Sequence, residues 1–199
     1  YSKILRTSSS FENNKLNVLE DTLDTGVGIR VLCNKRLGYA STCKISLRNL
    51  EQLIKHAIKL AKINEVNPFI KFQDKPVVNP SLFHSDKITE LPCFKILEES
   101  TSLLNQTLEK SNKLNIQPVL SGGVDRFIIE IQVYNTNGFE SKYKKTILRK
   151  AVYGKSNTPP SLECKVEDFS ILSEGRPIDE ISEEFTYILK KSLKPAKEK

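Results

Sequence analysis

The sequence predicts an α+β fold, with antiparallel or mixed sheets and helices packed on one side. Apolar and polar residues alternate with period two from Val27 to Cys33 and again from Phe127 to Tyr134, the pattern of half-buried strands. Apolar residues recur at helical spacing from Leu47 to Ala61, from Phe94 to Leu108 and from Ile181 to Leu189. The runs are segregated as strand meander, helix, helix, strand run, helix, which argues against a parallel array of strand–helix–strand units.

The first strand is short, at Ile4 and Leu5 within Tyr1 to Ser10, and runs into a serine-rich segment. Glu12-Asn13-Asn14-Lys15 reads as a turn, because asparagine tolerates positive φ. A second strand starts at Leu16 and Val18 and extends to Asp24-Thr25-Gly26. The stretch from Gly26 to Thr42 is a hairpin, with Asn34, Lys35 and Arg36 as its turn. Small residues at Gly26, Gly28, Gly38 and Ala40 leave room for a close neighbour, such as a backbone or a helix.

Ser46 is placed to cap a helix. Its inner face carries Leu47, Leu50, Leu53, Ile54, Ala57, Ile58 and Ala61, and it ends near Asn64, with Pro68 beyond. Asn67 to Pro92 is an extended connection with four prolines and short strand pieces at Phe69–Phe72 and Val77–Val78. A second helix runs from Glu90 or Cys93 to Lys113, with Pro92 in its first turn and Phe94, Leu97, Thr101, Leu104 and Leu108 facing inward.

Pro118 to Leu120 then leads to Ser121-Gly122-Gly123, read as a turn or bulge. The strand through Phe127 and Val133 ends at Asn135-Thr136-Asn137-Gly138, a tight turn by its Asn-Gly pair. Strand pattern continues from Phe139 to Lys155, breaks at Ser156 to Pro160, and resumes with Leu162, Cys164 and Val166 inward. Asp179 caps a last helix with Ile181, Phe185, Ile188 and Leu189 inside.

The chain has 199 residues, a net charge of +7, 38% hydrophobic residues and no methionine. The length suits one domain, or one and the start of another, and is enough to bury a core. No run reaches the roughly 18 apolar residues that span a membrane. A chain that lacks methionine and begins with Tyr1 reads as a fragment of a longer polypeptide. The charge invites a nucleic-acid reading, but the lysines are mixed with acids, so nucleic acid is not the expected partner.

No motif for chemistry emerges. Cys33, Cys43, Cys93 and Cys164 are scattered and read as isolated buried thiols, which suits a reducing, cytoplasmic compartment. His56 lies among the polar positions of the first helix, and His84-Ser85-Asp86 holds triad residue types too close in sequence to face one another. Gly26-Val27-Gly28 lies inside a strand and is not a dinucleotide fingerprint. Lys142, Lys144, Lys145, Arg149, Lys150 and Lys155, with Tyr143 and Tyr153, could form a stacking platform for single-stranded nucleic acid, but read better as the solvated face of a sheet. No catalytic, metal or substrate-binding residue is assigned, and a metal site brought together only by the fold stays open.

Gly26-Val-Gly-Ile-Arg-Val31, the polar turn, Leu37-Gly-Tyr-Ala-Ser-Thr42 and the helix from Ser46 through Ala57-Ile-Lys-Leu-Ala-Lys62 together resemble the amino-terminal domain of the TldD/PmbA family, also called modulators of DNA gyrase. Tyr134-Asn-Thr-Asn-Gly138 falls where that family tends to show Asn-Ser-x-Gly. The resemblance implies residues 1–175 as the amino-terminal domain and 176–199 as a helix leading towards a carboxy-terminal catalytic domain. It implies a cytoplasmic metallopeptidase acting on unfolded or extended peptides. Its zinc would sit in that further domain, on an HExxxH motif and a cysteine, and not on this chain. It also implies a homo- or heterodimeric partner subunit, no membrane, and no catalysis by this chain alone; the alternatives are a basic nucleic-acid-binding module or a plain dimerisation domain. PmbA-type members lack the zinc motif, so either arm of the family fits.

Overall fold

In a computed structural model, residues 1–17, 19–74, 83–156 and 163–192 are described. The strands are β1 (Ser2–Glu12), β2 (Lys15–Leu16), β3 (Glu20–Cys33), β4 (Arg36–Thr42), β5 (Pro118–Tyr134), β6 (Glu140–Ser156) and β7 (Glu163–Ser170). The helices are α1 (Leu47–Ile63), α2 (Asp86–Thr89), α3 (Cys93–Asn112) and α4 (Ile178–Ser192). The fold is α+β, and its antiparallel sheet has the order β4-β3-β1-β5-β6-β7, with β2 paired to β1. The chain divides into two compact units. Unit 1 holds residues 1–5, 23–82 and 129–144; unit 2 holds residues 6–22, 83–128 and 145–199.

Unit 1 is organised by the β3–β4 hairpin and α1. Asn34 and Lys35 adopt φ of 51° and 62° and form a two-residue turn, and Arg36 is already paired with Cys33. Val27, Ile29 and Val31 face a core of Ala40, Leu53 and Ala57. Helix α1 lies directly on β4 at Gly38, where a Cβ would stand 1.9 Å from the Ala57 carbonyl oxygen and 2.5 Å from the Ala61 nitrogen. The room expected at Gly38 and Ala40 is therefore filled by a helix backbone. Ser46 caps α1, its Oγ accepting from the Asn49 N–H at 3.3 Å. At the far end Asn64 Nδ2 donates to the Leu37 carbonyl at 2.7 Å. Leu47, Ile54 and Ile58, expected to face inward, are exposed, because the close approach at Gly38 leaves only a narrow stripe of α1 in contact.

Unit 2 packs α3 and α4 on its strands through Phe11, Leu103, Leu104, Ile116, Leu120, Val152, Cys164, Val166, Ile181, Phe185 and Leu189. Several sequence expectations are corrected here and in unit 1. The serines after Leu5 belong to β1, and Thr7, Ser8 and Ser9 are buried within it. The second strand is only Lys15–Leu16; β3 begins at Glu20, and Val18 lies outside the described residues. Phe69–Phe72 is not strand, and Val77–Val78 and Leu162 lie outside the described residues. Helix α2 had no periodic signal, being a single turn capped by Ser85.

Pro92 is the N-cap residue of α3 and stands just outside its first turn. The inner stripe of α3 is Ile96, Ser100, Leu103, Leu104, Thr107 and Ser111, and Phe94 is 57% exposed. Hydroxyl side chains could enter that stripe because Thr107 Oγ1 donates to the Leu103 carbonyl and Ser100 Oγ to the Ser9 carbonyl. Gly122 and Gly123 lie within β5, at φ of 154° and 149°, where Cβ atoms would meet the Ala151 and Ser9 carbonyl oxygens at 2.1 and 2.2 Å. They are close approaches, not a turn. Asp179 lies within the first turn of α4 and not before it. The Asn135 turn is as expected: its Oδ1 accepts from the Asn137 and Phe139 N–H groups, and Gly138 has φ of 80°.

Candidate functional site

Alternation in β1, β5, β6 and β7 sends one set of unit 2 side chains to the helices and the other to the opposite face. On that opposite face Asp125 is buried between two arginines. Its Oδ1 accepts from Arg6 Nε at 3.1 Å, Arg6 Nη2 at 2.7 Å and Ser8 Oγ at 2.6 Å, and its Oδ2 from Arg149 Nη1 at 3.0 Å. Arg149 also donates to Glu167 Oε1 at 2.8 Å, Lys165 pairs with Glu167 Oε2 at 2.6 Å, and the Tyr153 hydroxyl donates to Glu167. Arg149 stacks on Phe169, and Arg6 on Phe127.

Burial alone would raise the Glu167 pKa. Hydrogen bonds from Lys165, Tyr153 and Arg149 outweigh it and hold the carboxylate down at about 2. Burial pushes the Tyr153 hydroxyl up, and the Glu167 carboxylate adds to the effect. The arrangement encloses a cavity of about 230 Å³ bordered by Ser10, Ser121 and Gly123. Glu167 is held in the ionised form by its cations and is no general acid near neutral pH, and the raised Tyr153 hydroxyl is no nucleophile there. The arrangement is a rigid polar platform.

Unit 1 presents a different site at the outer margin of β4. Its two-residue turn makes Cys33–Arg36 a hydrogen-bonded pair, so by alternation Tyr39 and Ser41 point their backbone N–H and C=O groups away from β3. Leu37 shares that direction, and its carbonyl is taken by Asn64. Beside Tyr39 and Ser41 lies a shallow cavity of about 580 Å³ lined also by Ser2, Gly26, Gly28, Thr42 and Lys44. The Arg30 guanidinium lies 5.9 Å from the centre of the Tyr39 ring.

The residues singled out in the sequence are placed as follows. His56 is exposed on α1. His84 Nε2 does meet Asp86 Oδ1, at 3.1 Å, contrary to expectation, because the short α2 turns Asp86 back. Ser85 Oγ caps that helix instead of completing a triad. Cys164 is buried, Cys33 and Cys93 are partly buried and Cys43 is exposed, so the reading of four buried thiols is corrected at three positions. The basic stretch is largely paired: Lys142 with Glu140, Lys144 with Glu130, Arg149 with Asp125 and Glu167, and Lys150, buried, with Glu99. Among the described residues no group of three or more His, Cys, Asp or Glu side chains could hold a metal ion. The Asp125 platform escaped the sequence reading because its members come from four strands. The alternation of Arg149, Tyr153 and Glu167 was its only local trace.

Residues 1–61 match the family model described as PmbA/TldA metallopeptidase domain 1. No curated protein matches the chain. TldE from Thermococcus kodakarensis is similar in structure, with a TM-score of 0.70 at 15% identity over 95% of this chain and 42% of that one. A protein from Bacteroides thetaiotaomicron VPI-5482 named as a modulator of DNA gyrase gives a TM-score of 0.66 at 16% identity, covering 100% of this chain and 47% of the other. One from Thermotoga maritima MSB8, named likewise, gives 0.61 at 14%, covering 94% and 42%. These likenesses show a shared fold, and this chain spans less than half the length of the solved chains it matches.

Proposed function

We propose that this chain is an amino-terminal domain of the TldD/PmbA family, as the match of residues 1–61 to the family's domain 1 supports, and that it is the non-catalytic part of a metallopeptidase assembly acting on unfolded or extended peptides. Its work in this reading is to pair with a partner subunit and to guide the peptide towards a catalytic domain that carries the zinc. A cytoplasmic location belongs to the same proposal. The observation that carries it is the open antiparallel sheet, which ends at β4 and β7 and so offers strand margins to an extended chain.

The polar platform supports this reading, since its clamped charges give a surface without reactivity. Cross-linking with a photoreactive unfolded peptide tests guidance: labels on strand residues of the sheet support it, and no labelling overturns it. Elemental analysis with a peptidase assay tests the rest. Stoichiometric zinc together with chelator-sensitive cleavage by this chain would overturn the non-catalytic role.

A further inference from the structure

The whole net charge of the chain resides in unit 1. Its residues include thirteen Lys and Arg against six Asp and Glu, giving +7, whereas unit 2 has eighteen of each and is neutral. Unit 2 uses its charges on one another, as in Lys150–Glu99, Lys110–Asp179 and Arg176–Glu184. In unit 1 the ion pairs are Lys142–Glu140 and Lys144–Glu130, and Arg30 and Lys44 enter none among the described residues. Arg30, on β3, lies with its guanidinium 5.9 Å from the centre of the Tyr39 ring, and Lys44, just past the end of β4, stands in the wall of the 580 Å³ cavity, whose lining contains no carboxylate.

The two margins of the sheet differ in what would deter an added strand. Strand β7 carries Glu163, Lys165, Glu167 and Asp168, a charged strand of the kind that blocks pairing. Its Asp168 is engaged by the returning chain, accepting from the Arg176 N–H at 3.0 Å. From Leu37 to Thr42, β4 has no charge, no proline and no bulge. Tyr39 and Ser41 hold outward N–H and C=O groups that no other described backbone group engages. Backbone groups left this way are a template for a further strand. The small Gly38, Ala40 and Ser41 side chains demand little of the sequence that pairs with them.

We propose that the margin of β4 at Tyr39 and Ser41 takes up an extended acidic peptide as an added strand, with Arg30 and Lys44 selecting for acidic side chains. This rests on the peptide-guiding reading above and names its site and its preference. Backbone pairing supplies the affinity, and the two cations, neither in an ion pair among the described residues, supply the discrimination.

The test uses a short labelled peptide alternating threonine and glutamate, and its counterpart alternating threonine and lysine, read by fluorescence anisotropy on the full chain. The acidic peptide should bind at least about tenfold tighter at low salt, with the difference shrinking as salt rises. Ser41→Pro removes one outward N–H while leaving the β3–β4 ladder intact, as proline is tolerated on a sheet margin. It should weaken the acidic peptide by about tenfold, the scale of one unsatisfied hydrogen bond. N-methylation of alternate peptide nitrogens on the unaltered chain tests the same contact without risk to the fold and should abolish binding. Lys44→Glu should narrow or reverse the acidic preference.

Binding that ignores N-methylation and Ser41→Pro, or equal binding of both peptides, overturns the proposal while leaving peptide guidance standing. Failure of every peptide to bind overturns both. If a single-stranded oligonucleotide competes and the N-methylated peptide still binds, the basic surface is a phosphate site and the proposal also falls.

Discussion

In unit 1 a helix lies on a strand backbone to backbone, through Gly38, Ala57 and Ala61. In unit 2 the helices stand off on large side chains such as Phe11, Phe185, Leu120 and Leu103. The charges divide the same way: unit 1 carries +7 with few internal pairs, and unit 2 is neutral and internally wired. Close packing on glycine and alanine buries little apolar area, so unit 1 depends on geometry at one position. Unit 2 depends on the volume of its core and on a web of ion pairs. A surface left basic is available for recognition, whereas charges already paired serve stability.

The contrast can be broken first at Phe185, which is fully buried and whose ring would lie 2.5 Å from a Cβ on Gly154. Phe185→Ala should cost about 4 kcal/mol, measured by urea unfolding, with loss of protection in α4 amides. In unit 1, Gly38→Ala should cost about 3 kcal/mol by forcing α1 off β4, since backbone cannot yield as a side chain does. Hydrogen exchange should then show α1 opening first, with unit 2 protection retained.

The charge web of unit 2 should show in acid. Because the folded Glu167 pKa is about 2 against an ordinary 4.5, its contribution is complete above pH 4.5 and is lost as the pH falls towards 2. The loss should be about 2 kcal/mol, allowing for screening of the partly exposed Lys165. Glu167→Gln should flatten the stability curve in that window, and an unchanged slope would remove the residue from the web. The smallest effect belongs to the exposed cap: Ser46→Ala should cost about 1 kcal/mol and fray the first turn of α1, seen as reduced helicity.

Much of this was readable in one dimension. The β3–β4 hairpin follows from alternation around Asn34-Lys35, α1 from its cap and spacing, and the Asn135–Gly138 turn from residues that accept positive φ. Helix α3 was readable in extent but not in rotation. Ser100, Thr107 and Ser111 look polar in sequence, and Ser100 and Thr107 bury their hydroxyls against carbonyl oxygens. The glycines of β5 looked like a turn because glycine serves both turns and close approaches, and only the neighbouring strands tell the two apart.

The sequence by itself determined the α+β class, the order of the long elements and the resemblance carried by residues 26–62, because periodicity and capping are local properties of the chain. It also determined the total charge. Only the tertiary structure decided that all of the net charge falls in one unit, that Asp125 is held between Arg6 and Arg149, and that Tyr39 and Ser41 of β4 hold outward backbone groups that no other described backbone group engages. Arg6 and Asp125 are 119 residues apart in the chain. Contacts over such separations are set by strand order and register, and no local spacing records them.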